Sequence, residues 1–417
     1  MPPMKRQWPP MHPCGVKSTQ RSNDFLKGTP KWMIKDPAEM TFKALMTLKQ
    51  THRSFGVDAL RGFIMVWMAL DHARSFLCAS NGGYEIWMGR FTHYQGDHLA
   101  FLTRFVTHLS APGFFFIMGY SMVFLYASRS ANGWTKSQIY LYFVKRGIVL
   151  MGLQFLVENP AWAIGFGEMP LYFGVLFALG CTMIAGILFL EFPPAILVVT
   201  GILLISATEA LLPEAGGYVL YPFHQRILLL PGFTPGAGIF VLYPVIPWLG
   251  VVLLGMAFGK LLTSQQKNSR SFPLQLGLFL TVLFVAVRVN GGFGNIRMAG
   301  EEGVIGFLNV VKYPPSLSLL LLTLGLNLIA LSLFNHIENR AGKLLVPLVI
   351  LGRAPLFFYL LHLFLYAFMG MVTGPEKMPL IRMYGFWILG LVIMLPLCAV
   401  WADMRMNSKL SSPMRLI

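Results

Sequence analysis

Residues 57–78 read Val57-Asp58-Ala-Leu-Arg61-Gly62-Phe-Ile-Met-Val-Trp-Met-Ala-Leu-Asp71-His72-Ala-Arg74-Ser-Phe-Leu-Cys78. A helix crosses a bilayer in about 20 residues, and this run is long enough to do so. It nevertheless holds Asp58, Arg61, Asp71, His72 and Arg74. An ionisable side chain at the bilayer centre costs about 2.5 kcal/mol or more, so such residues point to function. From Arg61 to His72 a helix turns through about 1100° and rises about 16 Å. The two side chains therefore share one face, Arg61 near the start of the span and His72 well inside it. Asp58 precedes Arg61 by one turn and Asp71 precedes Arg74 by three residues, spacings at which each pair can meet along a helix.

Outward from this stretch the chain keeps the same character. Its 417 residues are 55% hydrophobic and only 12% charged, about half the charged share of a soluble domain. Disordered, collagen-like and ordinary soluble classes are thereby excluded. Apolar runs mark about ten spans, near 57–78, 101–127, 139–158, 172–190, 194–212, 239–262, 273–290, 315–335, 344–370 and 385–403. All read as helices, so the expected fold is an all-α polytopic membrane bundle. The fourth and fifth spans are separated only by Glu191-Phe192-Pro193-Pro194 and could be one bent element. Pro244 and Pro247 predict a kinked or broken sixth span.

The formal charge of +16 has a topological meaning. Ten basic residues, from Lys5 to Arg53, precede the first span. Arg129, Lys136, Lys145 and Arg146 follow the second, and Arg405 and Lys409 follow the last. Positive residues gather in cytoplasmic loops, so both termini are expected inside a cell (inner) membrane. Residues 1–53 read as a basic juxtamembrane tail attracted to anionic lipid, 54–406 as the membrane domain and 407–417 as a short tail. The tail lacks the motif context of a nucleic-acid binder. The cysteines have no CxxC spacing, and no metal site is indicated.

Other polar residues interrupt apolar sequence. Arg104 and His108 sit four apart at the start of the second span, followed by Ser110, Pro112 and Gly113, where a loosened helix would let a ligand approach backbone. The preceding loop carries His93, Asp97 and His98. In the ninth span Tyr359 and His362 share a face, whereas Arg353 and His362 differ by about 180°. One cavity reaches both only if the chain bends at Pro355.

Several strings together resemble a known family. They are Val57-Asp-Ala-Leu-Arg-Gly62, the Arg61 to His72 spacing, Thr107-His-Leu-Ser-Ala-Pro-Gly-Phe-Phe-Phe-Ile-Met-Gly119, Tyr243-Pro-Val-Ile-Pro-Trp-Leu-Gly250, Lys312-Tyr-Pro-Pro-Ser316 and Leu351-Gly-Arg-Ala-Pro-Leu-Phe-Phe-Tyr-Leu-Leu-His362. In this order they resemble the bacterial DUF1624 proteins, grouped with the catalytic domain of heparan-alpha-glucosaminide N-acetyltransferase among transmembrane acyltransferases. The resemblance spans roughly 54–400. It implies transfer of an acyl group, in the first instance acetyl, from cytoplasmic acyl-CoA to a sugar or glycan hydroxyl or amine, with no metal. The arginine–histidine pair of the wider group falls on Arg61 and His72. In the heparan enzyme an asparagine replaces that histidine, and its loop histidine corresponds to His98, fourteen positions before Pro112.

The combined expectation is a membrane acyltransferase with His72, assisted by Asp71, as base. His98 serves as a second acid/base group or acyl carrier. Arg61 holds CoA, while Arg104 and His108 stabilise charge on the thioester oxygen. Spans one, two, six and nine are expected to enclose the site. Acyl-CoA, an acceptor and membrane lipid are the implied partners, and a homo-oligomer is compatible with this reading. The alternative is a proton-coupled transporter whose relay is Asp71, His72 and His108. A scaffold without activity leaves the deep Asp–His pair unexplained.

Overall fold

The computed structural model describes residues 55–78, 85–88, 92–213, 221–234, 236, 238–264, 271–374, 378–408, 412 and 414. The basic segment 1–53 lies outside them, as does most of 407–417.

Apolar sequence makes helix wherever it runs long, because backbone groups in lipid must bond within their own segment. Seven described helical stretches are long and apolar enough to cross a membrane: His98–Ala131, Lys136–Phe166, Val245–Thr263, Phe272–Asn290, Leu317–Glu338, Pro355–Thr373 and Leu380–Asn407. Two shorter apolar helices, Val175–Phe189 and Pro194–Ala210, match the expected fourth and fifth spans. A turn at 190–193 separates them, so they are two elements. The first expected span is α1, Phe55–Leu77, whose charged residues keep it out of the purely apolar set.

Three expectations are corrected. The structure is not purely helical: Leu171–Phe173 (β1), Gly232–Thr234 (β2) and Ile239–Val241 (β3) form a small sheet of order β1-β3-β2. The β1–β3 pair is parallel, with Tyr172 opposite Phe240. Pro244 and Pro247 do not break a span; the chain leaves β3 and the helix starts at Val245, so Pro247 falls in the first turn, where a missing N–H costs nothing. The second span is interrupted earlier than expected, between helices His98–Thr107 (α2) and Ser110–Ala131 (α3).

Close helix crossings position the site. A Cβ on Gly62 of α1 would lie 1.9 Å from the Leu348 carbonyl oxygen, and one on Gly352 would lie 1.9 Å from that of Asp58. Helix α1 and the helix Val346–Arg353 therefore touch backbone to backbone. Ala354 is non-helical, and a new helix begins at Pro355. This is the bend on which joint use of Arg353 and His362 depends.

Two loops also face inward. Arg288 donates to the carbonyls of Phe307, Arg297, Gly306 and Asn309 at 2.8 to 3.0 Å, shaping the segment that leads to Lys312. The backbone N–H groups of Lys312 and Tyr313 both bond to the Glu85 carbonyl, at 3.1 and 3.0 Å, and Trp87 N–H bonds to Tyr313 O at 2.8 Å. Glu85 and Lys312 are held side by side by this pairing.

Candidate functional site

One continuous cavity of about 930 Å³ runs beside α1 and is lined from Asp58 and Arg61 to Asp71 and His72. Lining residues come from α1, Arg104 of α2, α3, the helices between Lys136 and Phe166, the helix Val175–Gly186, the Arg353–Pro355 bend and residues 312–313. The third and fourth expected spans thus join a site assigned to spans one, two, six and nine. From the region of the sixth span the wall takes Phe240, Leu242 and Tyr243, which precede its helix.

Arg61, Arg129, Arg146, Arg353 and Arg405 all line the cavity, and two of them, Arg61 and Arg353, reach the carboxylate of Asp58. Arg61 donates to Asp58 Oδ1 at 2.8 Å and to Ser121 Oγ at 2.6 Å. Arg353 Nε lies 3.5 Å from Asp58 Oδ2. The expected one-turn pair of Asp58 and Arg61 is present, and the bend brings Arg353 onto the same carboxylate.

His72 lines the same cavity. Its Nδ1 lies 2.7 Å from Nε2 of His362, which is wholly buried. His362 Nδ1 lies 2.7 Å from the Phe358 carbonyl oxygen. A carbonyl only accepts, so His362 Nδ1 carries a proton and its Nε2, in the neutral ring, is an acceptor. His72 Nδ1 must then donate, which leaves the lone pair on His72 Nε2. The chain of two rings fixes the tautomer of a cavity-lining histidine. Trp162 meets the His72 ring edge-on at 5.3 Å and Tyr359 at 6.1 Å.

Asp71 does not pair with Arg74. Arg104 reaches from α2, takes Asp71 with one guanidinium nitrogen and Glu85 with another, and its Nε donates to Glu85 Oε1 at 2.7 Å. Lys312 Nζ lies 3.8 Å from Asp71 Oδ2. Arg104, itself a lining residue of the cavity, thus meets two carboxylates. Glu85, buried against that guanidinium, is held well below the ordinary carboxyl value: burial opposes ionisation, but the Arg104 charge and hydrogen bonds prevail. Burial lowers the Lys312 ammonium to about 8, with the Arg104 charge adding to the shift.

Two other histidines fall elsewhere. His98 is the first residue of α2, exposed and outside the cavity lining. Asp97 is the N-cap of this helix, its side chain accepting from Ala100 N–H at 2.9 Å. His108 is buried outside the lining, with Nε2 3.6 Å from Glu85 Oε1. The relay of Asp71, His72 and His108 is not assembled, because Asp71 and His108 both turn to the Arg104–Glu85 cluster while His72 turns to His362. Of the Ser110–Gly113 stretch, Ser110 and Ala111 line the cavity, whereas a Cβ on Gly113 would lie 2.5 Å from Ile64 Cδ1, so Gly113 packs against α1.

Glu85, Lys312 and His362 are the partners of Arg104, Asp71 and His72 that reading the sequence did not assign. Glu85 and Lys312 sit in loops, where apolar periodicity carries no signal. His362 was visible as a histidine inside a span, but its partner depended on the bend at Ala354.

The fold and cavity define a multi-pass integral membrane protein with a buried, charged cavity between its helices. The family model for heparan-alpha-glucosaminide N-acetyltransferase, catalytic, matches residues 53–288, and the chain belongs to that family. The family points to a transferase. Comparison with individually curated proteins returns no match.

Proposed function

We propose that this chain transfers an acyl group, in the first instance acetyl, from acyl-CoA to a hydroxyl or amine of a sugar or similar acceptor. The observation that supports the reading is one cavity lined both by Arg61, Arg129, Arg146, Arg353 and Arg405 and by a histidine of fixed tautomer. CoA carries several phosphate charges, and guanidinium forks match phosphate oxygens in pairs. Arg61, Arg129, Arg146, Arg353 and Arg405 suit that end of the donor, which directs its thioester along α1 towards His72. The arginine end faces the cytoplasm in this reading, as the loop charges also suggest, and the membrane is the inner cell membrane.

His72 Nε2 is the base that removes the acceptor proton as the nucleophile attacks the thioester carbonyl. His362 orients the ring and accepts a hydrogen bond that stabilises the imidazolium formed. Asp71, neutralised by Arg104 and Lys312, shapes the field beside His72. Lys312 faces the same cavity as a cation for charge developing on the carbonyl oxygen. Apolar walls such as Leu176, Leu179 and Met183 keep water from the thioester.

The test is incubation of purified protein with radiolabelled acetyl-CoA and candidate hydroxyl and amine sugars. Acceptor-dependent release of CoA that disappears in His72→Ala supports the reading. Failure of the wild-type protein to bind or consume acetyl-CoA with any acceptor would overturn it.

A further inference from the structure

We infer that Tyr243 and Tyr313 form a hydroxyl dyad that serves as the oxyanion hole of this cavity, donating a hydrogen bond to the thioester carbonyl oxygen as negative charge develops on it. The inference rests on the acyl-transfer reading and adds a catalytic pair to it.

Each of the two tyrosines directly precedes a proline, Pro244 and Pro314. A following proline disfavours helical backbone, so each tyrosine stays outside a helix and just ahead of one. The helices begin at Val245 and Leu317. Tyr313 is pinned through its backbone, its N–H bonded to the Glu85 carbonyl at 3.0 Å and its carbonyl accepting from Trp87 N–H at 2.8 Å. The Tyr243 ring packs against Phe115 and Trp248, with centroids 6.4 and 5.5 Å away. The two tyrosine rings then meet edge-on at 5.3 Å, and their hydroxyl oxygens lie 3.1 Å apart. Both residues are buried and both line the cavity.

A proton count shows what the dyad can offer. Two hydroxyls carry two protons, and the bond between them uses one. Neither hydroxyl has a further hydrogen-bond partner among the described residues, so the second proton has no acceptor there. A buried donor without an acceptor is costly, and a ligand oxygen removes that cost. The hydroxyl that already accepts a bond from its partner is polarised into a stronger donor. Burial holds both hydroxyls well above the ordinary tyrosine value, so both keep their protons at neutral pH.

The dyad stands beside the proposed base. Lys312, next to Tyr313 in the chain, places Nζ 3.8 Å from Oδ2 of Asp71, which adjoins His72. Tyr243 lies within electrostatic reach of the carboxyls of Asp71 and Glu158. Trp162, which meets His72 edge-on, donates to Glu158 Oε1 at 3.4 Å. A neutral donor suits this position. It binds an uncharged carbonyl weakly and the oxyanion strongly, which is the difference that accelerates a reaction.

In the step itself the acceptor oxygen or nitrogen attacks the thioester carbonyl carbon and its proton passes to His72 Nε2. The carbonyl π pair moves onto oxygen, where the free O–H of the dyad bonds to it. The pair returns as the C–S bond breaks, and the departing thiolate takes the proton from His72. The products are an ester or amide and a thiol, and the dyad keeps its protons throughout.

The experiment uses the full chain in detergent and has two readouts. Steady-state acetyl transfer is compared between wild type and the double variant Tyr243→Phe/Tyr313→Phe, which keeps both rings and removes both hydroxyls. Its kcat should fall by about 10²- to 10³-fold, the loss seen on removing an oxyanion-hole donor, with KM for acetyl-CoA unchanged. The second readout needs no turnover: the infrared carbonyl band of bound acetyl-CoA, isotopically labelled at that carbonyl, is recorded in His72→Ala with and without the two tyrosine substitutions. Loss of the donor should move the band to higher frequency. If the double variant fails to fold, Tyr243→Phe and Tyr313→Phe are measured singly. A wild-type kcat, or a band that does not move although acetyl-CoA binds, would overturn the dyad and leave the acyl-transfer reading standing. Absence of acetyl-CoA binding to the wild-type protein would instead overturn that reading and the dyad with it.

Discussion

His72 Nδ1 and His362 Nε2, from helices 290 residues apart in sequence, face each other at 2.7 Å. The second ring is fixed by the Phe358 carbonyl, so the pair determines which nitrogen of His72 can take a proton. His72→Ala should lower acetyl transfer by about 10²- to 10⁴-fold, the usual contribution of a positioned base. His362→Ala should cost less, by freeing the His72 ring rather than removing it. Steady-state rates with acetyl-CoA check both, and equal rates in His362→Ala and wild type would remove the role given to the pair.

His98→Ala should leave acetyl transfer close to wild type, since His98 is exposed at the start of α2 and lies outside the cavity. Single-turnover measurement with labelled acetyl-CoA decides the matter. A labelled His98, or a collapse of activity in the variant, would restore it as an acyl carrier.

Arg104→Ala should destabilise the protein by about 3–5 kcal/mol, because it strands Asp71 and Glu85 as buried, uncompensated carboxylates. Arg104→Lys should not restore the loss, as an ammonium cannot serve two carboxylates as a fork does. Thermal unfolding in detergent measures both.

The same cluster predicts an acid limit to stability. Glu85 ionises well below the ordinary 4.5 in the folded protein. Its stabilisation is present above 4.5 and is lost as pH falls from there towards the folded value. The melting temperature should fall below about pH 4.5, and Glu85→Gln should flatten that part of the curve. An unchanged acid limb in the variant would assign the effect to other groups.

Gly62→Ala should destabilise by about 1–3 kcal/mol or more, because its Cβ would meet the Leu348 backbone oxygen at 1.9 Å and no side chain can move aside. Separation of α1 from the Val346–Arg353 helix would also part Asp58 from Arg353. The variant should therefore raise KM for acetyl-CoA, and ordinary stability with normal kinetics would contradict the crossing.

The apolar runs and the Lys/Arg distribution made a multi-pass helical protein legible, because lipid imposes one backbone solution on long apolar sequence. The helical spacing of Arg61 and His72 was legible for the same reason: both lie on a single regular helix. What failed were local breaks in that regularity. Pro244 and Pro247 read as a broken span, whereas the chain had already formed a strand; the sheet of three-residue strands is too short to leave a pattern in sequence.

The sequence by itself determined the class of protein and the single helix from which Arg61 and His72 both line the cavity. Only the tertiary structure decided the partners. Arg104 met two carboxylates that converge on it, His362 reached His72 where the chain bends at Ala354, and Glu158 reached the cavity beside a widened turn. Each outcome depends on which distant groups compete for a charge or a proton in a confined space, and that competition is set by packing rather than by spacing along the chain.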